Sequence, residues 1–316
     1  MTDGFGRKIT YARISVTDRC NLNCLYCMPQ EGSRKNPRSE PLRADEVIAV
    51  AQALTGMGID KIRLTGGEPL LRSDIPRLVG EIARLEGLRD FALTTNGVLL
   101  PQYACGLKRL GLRRVNISLD TLDAEKYREI TAGGNLAAAL DGVKAASDAG
   151  LTVKLNTVLI NGFNTDEIAD IANLTMDSGT DVRFIELMPA GACSAWAAGR
   201  YADADAVLAA LPTLAPLTPE GGCAAVYYQL PGGKGRVGLI RPISRKFCAS
   251  CGKIRITADG KVKPCLHSDV EIDIRDKLGD EQSLKQALAD AVTAKPYEHE
   301  LERGKFTARS MTEIGG

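Results

Sequence analysis

Two kinds of residue pattern alternate along the first 190 residues, and this alternation narrows the fold more than any other feature. Short β-rich segments recur at residues 13–16, 61–64, 91–94, 114–119, 151–158 and 181–187. Stretches with helical periodicity lie between them. Residues 45–54 place Val47, Ile48, Val50, Ala51 and Leu54 at the spacing of one buried helical face. Residues 75–85, 99–110, 136–149 and 166–176 read the same way, and Gly58, Gly87, Gly111, Gly150 and Gly179 stand where helices would end. Strands alternating with helices make βαβ units, so the expectation is an α/β fold on a parallel sheet. An open doubly wound sheet and a full or partial barrel both satisfy the pattern. Either one puts ligand sites at the C-terminal ends of the strands.

After Met188 the pattern changes. Residues 190–225 are rich in Ala, Gly and Pro and read as a connector with short helices. Short strands follow at 226–230, 236–241, 254–257 and 261–263, with turns at Pro231-Gly232-Gly233 and Asp259-Gly260. The chain thus divides into a first domain ending between residues 190 and 220 and a smaller α+β region over about 221–316. Residues 33–39 (SRKNPRS) read as a mobile loop. With 44% apolar and 25% charged residues, bulk disorder and fibrous folds are excluded. The 40 Lys and Arg stand against 39 Asp and Glu, so a net charge of +1 gives no general attraction to nucleic acid or anionic membrane. No apolar run reaches the ~18 residues of a membrane span, and residues 1–13 hold no signal-peptide core. A cytoplasmic protein with neither a membrane nor a nucleic-acid partner is expected.

Cysteine carries the chemical information. Six of the nine cysteines form two tight groups, while Cys105, Cys193 and Cys223 are isolated and histidine occurs only as His267 and His299. An odd count without an export signal points to free thiols or metal ligands rather than disulfides. Soft thiolates select zinc, cuprous copper or iron–sulfur clusters. The first group, Cys20-x3-Cys24-x2-Cys27, follows directly on the first strand. Three thiolates can hold a 4Fe–4S cube and leave one iron open to a substrate or cofactor, whereas closed sites take four ligands. The second group, Cys248-x2-Cys251-x13-Cys265, is ambiguous by spacing. With His267 as fourth ligand it is a zinc site; without it, a second cluster. Its basic surround (Arg241, Arg245, Lys246, Lys253, Arg255, Lys261 and Lys263) favours a cluster beside an anionic substrate, because structural zinc needs no such charge.

The first cysteine group, with Tyr26 ahead of its last cysteine, resembles the signature of the radical S-adenosylmethionine enzymes. The second strand ends in Thr65-Gly66-Gly67-Glu68-Pro69, similar to that superfamily's GGEP segment. Glycines at a strand end also let backbone approach a ligand closely. Together with the second group and the terminal Gly315-Gly316, the pattern from Ile9 to Gly316 resembles the GTP 3′,8-cyclase family of molybdenum cofactor biosynthesis. That resemblance implies an incomplete, TIM-like (βα)6 barrel whose open side the C-terminal region covers. It implies two 4Fe–4S clusters and S-adenosylmethionine as cofactors. In the family, one electron from the first cluster splits S-adenosylmethionine and releases a 5′-deoxyadenosyl radical. The radical takes hydrogen from C3′ of GTP, whose purine sits on the second cluster. The C3′ radical then attacks C8, and reduction gives (8S)-3′,8-cyclo-7,8-dihydroguanosine 5′-triphosphate.

Position by position, the resemblance assigns Cys20, Cys24 and Cys27 to the first cluster and Cys248, Cys251 and Cys265 to the second. It places Tyr26, Gly67, Ser118 and Met188 beside S-adenosylmethionine, and Gly315 and Gly316 in catalysis. It gives GTP to Arg13, Arg63, Thr94, Lys154, Lys253, Ile254 and Arg255. Lys253 stands where the family usually has arginine, which removes a bidentate fork and keeps a charge. Arg13, Arg63 and Lys154 fall in or near the expected strands, where a charge needs either a salt bridge or a bound triphosphate. The family also implies an electron donor such as a flavodoxin or ferredoxin, transfer of product to the cyclic pyranopterin monophosphate synthase, and allows a homodimer. Two other readings stay open at this point: a peptide-modifying maturase with an auxiliary cluster, and a non-enzymatic zinc-ribbon binding protein. For the Gly-Gly end, an ordinary frayed terminus is the alternative.

Overall fold

The computed structural model describes residues 1–28, 40–218 and 224–315; the expected loop at 33–39, Cys223 and Gly316 lie outside the described residues. The alternation becomes β1 (Tyr11–Ser15), α1 (Ala44–Gly56), β2 (Lys61–Thr65), α2 (Ile75–Ala83), β3 (Asp90–Thr95), α3 (Leu100–Arg109) and β4 (Arg114–Ser118). It continues through α4 (Ala124–Ile130), α5 (Leu136–Asp148), β5 (Thr152–Leu159), α6 (Ile168–Asn173) and β6 (Asp181–Glu186). β1 to β6 pair side by side, all parallel and in sequence order.

Alternation within each strand sets the two faces. Ala12, Ile14, Ile62, Leu64, Val115, Ile117, Val153 and Leu155 are buried in the apolar core shared with the helices. Their strand neighbours Arg13, Arg63, Asn116 and Lys154 therefore point the other way, because successive side chains leave a strand on opposite faces. The inner face of this sheet is polar, unlike the close-packed interior of a complete barrel.

Two expectations need correction here. The helix expected at 166–176 is shorter, beginning with a 3-10 turn at Thr165–Glu167 and ending at Asn173, so Gly179 does not terminate it. Glu167 is drawn inward to accept from Thr121 Oγ1 at 2.7 Å and Leu122 N at 2.7 Å, which prevents a regular first turn. α4 was not expected. Asp123 caps it, accepting from the amides of Glu125 and Lys126.

The C-terminal region adds α7 (Ser194–Ala197), α8 (Asp205–Ala210), β7 (Ala215–Pro216), β8 (Ala225–Gln229), β9 (Val237–Ile240), β10 (Lys253–Ile256), β11 (Lys261–Lys263), β12 (Ile272–Asp273), α9 (Glu281–Thr293) and α10 (Met311–Ile314). Its strands are continuous with the first sheet. The order is β12-β11-β10-β1-β2-β3-β4-β5-β6-β9-β8-β7. β9 runs parallel to β6 and β10 parallel to β1, so the region attaches to both edges of the six-strand run. The segment between β9 and β10 passes from one edge to the other and carries Cys248 and Cys251. That is how the open side is covered. α9 packs on α1 and extends the outer helix layer, burying Leu284, Ala287, Leu288, Ala291 and Val292. Among the described residues, no helix is long and apolar enough to cross a membrane.

Candidate active site

Strands β10, β1–β6 and β9 curl around one cavity of about 620 Å³, and all six grouped cysteines line it. The first group leaves the C-terminal end of β1, where the chain must turn sharply past the end of β2. Gly66 and Gly67 make that passage possible. A Cβ on Gly66 would lie 2.5 Å from Thr17 O, and one on Gly67 would lie 2.2 Å from Arg19 O. Gly67 N donates to Thr17 O at 2.7 Å and Glu68 N to Arg19 O at 2.7 Å. The close approach expected of these glycines is thus made first by the cysteine loop itself.

Glu68 is fully buried and ties the loops together. It accepts from Leu70 N at 3.0 Å, Thr95 Oγ1 at 2.8 Å and Asn96 N at 2.8 Å. Burial pushes its carboxyl up to about 7 against those hydrogen bonds. Asn96 in turn donates to Asn21 Oδ1 at 2.7 Å, beside Cys20. Across the cavity, Tyr26 donates its hydroxyl to Asp120 Oδ2 at 2.6 Å, and Val158 N donates to Asp120 Oδ1 at 2.8 Å. Burial raises Asp120 to about 6 despite both bonds.

The donor chemistry fits a cluster at each group. Burial pushes the Cys20, Cys24 and Cys27 thiols up, and the charge of Cys27 raises Cys24 while that of Cys20 raises Cys27. Three thiolates gathered here need positive metal charge to coexist. At the second group, burial pushes Cys251 up but Lys295 and Lys253 outweigh it, and its thiol falls below the ordinary range. Among the described residues, no three His, Cys, Asp or Glu side chains are arranged to hold a single metal ion. His267 does not join Cys248, Cys251 and Cys265 in a zinc-ribbon arrangement; its Nε2 lies 3.4 Å from Met188 Sδ.

The two groups stand at opposite ends of the strand direction. The first follows the C-terminal end of β1, while Cys251 precedes the N-terminal end of β10, which is parallel to β1. Cys265 follows β11, antiparallel to β10, and so returns to that same end. At mid-strand between them, Arg255, Arg13 and Arg63 stand in one register row across β10, β1 and β2. Like charges directly opposed on neighbouring strands repel, by about 2–3 kcal/mol per pair at an effective dielectric of about 20. No carboxylate among the described residues pairs with Arg63, Arg183 or Arg255. Burial lowers the pKa of Arg13, Arg63 and Arg255, with neighbouring arginines adding to the effect, and takes Arg183 down to about 10. Burial also lowers Lys253 to about 8. A bound polyanion would give Arg63 and Arg255 the counter-charge that no carboxylate among the described residues supplies.

Most expected site residues come together here. Tyr26, Gly67, Ser118, Met188, Arg13, Arg63, Thr94, Lys154, Lys253 and Arg255 all line the cavity. Lys154 is partly neutralised by Asp181, 2.8 Å away. Thr94 Oγ1 is buried without a partner. The side chain of Ile254 does not line the cavity: it is fully buried in the apolar core, because strand alternation sends it opposite to Lys253 and Arg255. Gly315 reaches the inner face, where its carbonyl accepts from Arg255 Nη1 at 3.1 Å. The sequence reading missed Arg114, Arg183, Asn156, Asp120 and Lys295, which also line the cavity. Polar residues alternating with apolar ones in β4, β5 and β6 were the available signal for the first three.

Two family descriptions match the chain: Radical SAM superfamily over residues 14–175, and Molybdenum Cofactor Synthesis C over residues 180–301. The protein named GTP 3′,8-cyclase from Alkaliphilus oremlandii is 49% identical over 320 residues, covering 100% of each chain. Its namesake from Peptoclostridium acidaminophilum is 51% identical, covering 100% of this chain and 98% of that one. Among solved structures, Streptococcus suis SuiB gives a TM-score of 0.59 at 14% identity, over 82% of this chain and 60% of that chain. HydG, a hydrogenase maturase, gives 0.52 at 18% identity, over 65% and 48%. The chain spans less than two thirds of either structure, and at such identity the likeness establishes the fold alone. Half the chain in one family match and full-length relatives near 50% identity leave no ambiguity: the chain belongs to the radical SAM superfamily and, within it, to the GTP 3′,8-cyclase family.

Proposed function

We propose that the chain cyclises GTP between C3′ and C8, with both cysteine groups serving one cavity. The observation that carries this reading is the arginine row at mid-strand between the two groups. A triphosphate supplies the negative charge that Arg255 and Arg63 require, and the guanidinium fork matches phosphate geometry. Lys253, Lys154 and Arg183 add charge around it. When bound, the two clusters and S-adenosylmethionine supply one-electron cleavage and the hydrogen-abstracting 5′-deoxyadenosyl group. Cys20, Cys24 and Cys27 would hold the first cluster, and Tyr26, Gly67, Ser118 and Met188, which line the same cavity, would seat the cofactor. Asp120 fixes the Tyr26 ring by its hydrogen bond. Cys248, Cys251 and Cys265 would hold the second cluster, at the opposite end of the cavity from the first. A flavodoxin- or ferredoxin-type electron donor and the cyclic pyranopterin monophosphate synthase, which consumes the product, complete this reading.

Cys265→Ser tests it. The variant is expected to retain uncoupled cleavage of S-adenosylmethionine while losing cyclic product by more than about 100-fold, ~2.7 kcal/mol in barrier. Iron and sulfide analysis of anaerobically purified parent protein is expected to give about eight irons per chain. Product at the parent rate in Cys265→Ser, or zinc in the parent's second site, contradicts the reading.

A further inference from the structure

We infer that Lys295 is the buried counter-cation of the second cysteine group and the residue that positions it. This inference rests on reading that group as a cluster site. Lys295 lies just past the end of α9 and is 4% exposed. Its Nζ donates to Lys253 O at 2.8 Å and to Pro264 O at 2.7 Å. Lys253 is two residues beyond Cys251, and Pro264 immediately precedes Cys265. One ammonium therefore ties together the two chain segments that present these thiols. The adjacent residues complete the arrangement. Arg7 Nη1 donates both to Tyr297 O at 2.7 Å and to Cys248 O at 2.9 Å, and Arg7 Nη2 donates to Pro296 O at 2.7 Å. The segment 295–297 is thus linked to the loops bearing all three cysteines.

Charge balance distinguishes Lys295 from Arg7 and Lys263, the other buried cations tied into these loops. Arg7 pairs with Asp3 at 2.5 Å, and the fully buried Lys263 pairs with Glu271 at 3.1 Å. Lys295 makes no ion pair with any carboxylate among the described residues. Its two hydrogen bonds are to neutral carbonyls, and an ammonium has three donors. A buried ammonium without an anion is strongly disfavoured, so the ligand must supply the negative charge. A cluster held by three thiolates is anionic, and gains further negative charge on reduction. A fixed cation beside it favours the reduced form and raises its potential. Hydrogen bonds and charges near the ligands are the protein's means of adjusting that potential.

The test uses the full chain with Cys20→Ala, Cys24→Ala and Cys27→Ala, so that the second cluster alone remains. Iron content and a redox titration followed by electron paramagnetic resonance are compared for this parent, Lys295→Met and Lys295→Arg. Lys295→Met is expected to shift the one-electron reduction equilibrium against reduction by about tenfold, ~59 mV. Lys295→Arg is expected to return it close to the parent value. If Lys295→Met loses its iron while its circular dichroism stays that of the parent, recovery of iron in Lys295→Arg but not in Lys295→Gln also supports the inference. An unchanged potential in Lys295→Met overturns it. So does equal iron loss in Lys295→Met and Lys295→Arg, since packing rather than charge would then be responsible. A parent holding zinc would instead remove the cluster reading itself.

Discussion

Cys24→Ala is expected to abolish reductive cleavage of S-adenosylmethionine, by more than about a thousandfold, ~4 kcal/mol in barrier. Loss of a thiolate leaves two ligands for a cluster that needs three, and an altered ligand set changes both stability and potential. The structure separates this effect from misfolding. Cys24 contributes to its turn through its carbonyl, which accepts from Cys27 N at 2.9 Å and Met28 N at 3.0 Å. Alanine keeps those bonds and removes only sulfur. The neighbouring anchors, Gly67 N on Thr17 O and Tyr26 on Asp120, are untouched. Thermal stability of the metal-free variant is therefore expected within a few degrees of the metal-free parent. The measurement is 5′-deoxyadenosine released from anaerobically reconstituted protein, with and without GTP. Parent-level release in Cys24→Ala would show that the radical is generated elsewhere.

Gly315→Ala is expected to reduce cyclic product by about 100-fold or more, ~2.7 kcal/mol, while cluster content and GTP affinity stay near the parent values. Gly315 has φ +87 and wedges against β1 and β2; a Cβ there would lie 2.6 Å from both Ser15 Cβ and Thr65 Oγ1. The segment before it cannot yield easily. Arg309 binds Glu271 at 2.6 and 2.7 Å and Asp259 at 3.0 and 2.9 Å, and Ser310 and Glu313 form a capping box on α10. Alanine must then displace residue 315 from the inner face and break the bond from Arg255 to its carbonyl. Burial of Gly315 against the sheet speaks against a frayed end at this residue. Iron analysis, equilibrium binding of GTP and product yield, measured separately, check the prediction. Unchanged product yield would mean that the tail has no part in the reaction.

The parallel core was legible because its strands obey a strict two-residue alternation. Ala12 and Ile14 flank Arg13, and Ile62 and Leu64 flank Arg63, so core and cavity faces can be read directly from the residues. α9 carries the corresponding helical signal in Leu284, Ala287, Leu288, Ala291 and Val292, weakened by its two alanines and answered by packing on α1. The pairing of β10 with β1 was not legible, since nothing local shows that residues 253–256 would lie beside residues 11–14. Arg13, Arg63 and Arg255 could each be picked out, but their alignment in one row is a product of that long-range pairing. The side chain of Ile254 is turned away from the cavity by the same alternation, which leaves only its backbone on the strand between Lys253 and Arg255. Lys295 sits in an irregular segment without periodicity, so only its contacts identify it. Asp120 lies two residues beyond Ser118, and its partner Tyr26 is distant in sequence.

The central claim is that one cavity brings the group generated at the first cysteine triad to C3′ of a GTP held on the arginine row. Anaerobic incubation of the reconstituted protein with GTP deuterated at C3′, S-adenosylmethionine and reductant tests it most directly, with both products analysed by mass spectrometry. The account predicts deuterium in the 5′-deoxyadenosine and formation of 3′,8-cyclised dihydroguanosine triphosphate. Deoxyadenosine free of deuterium, released while GTP remains unchanged, would contradict it.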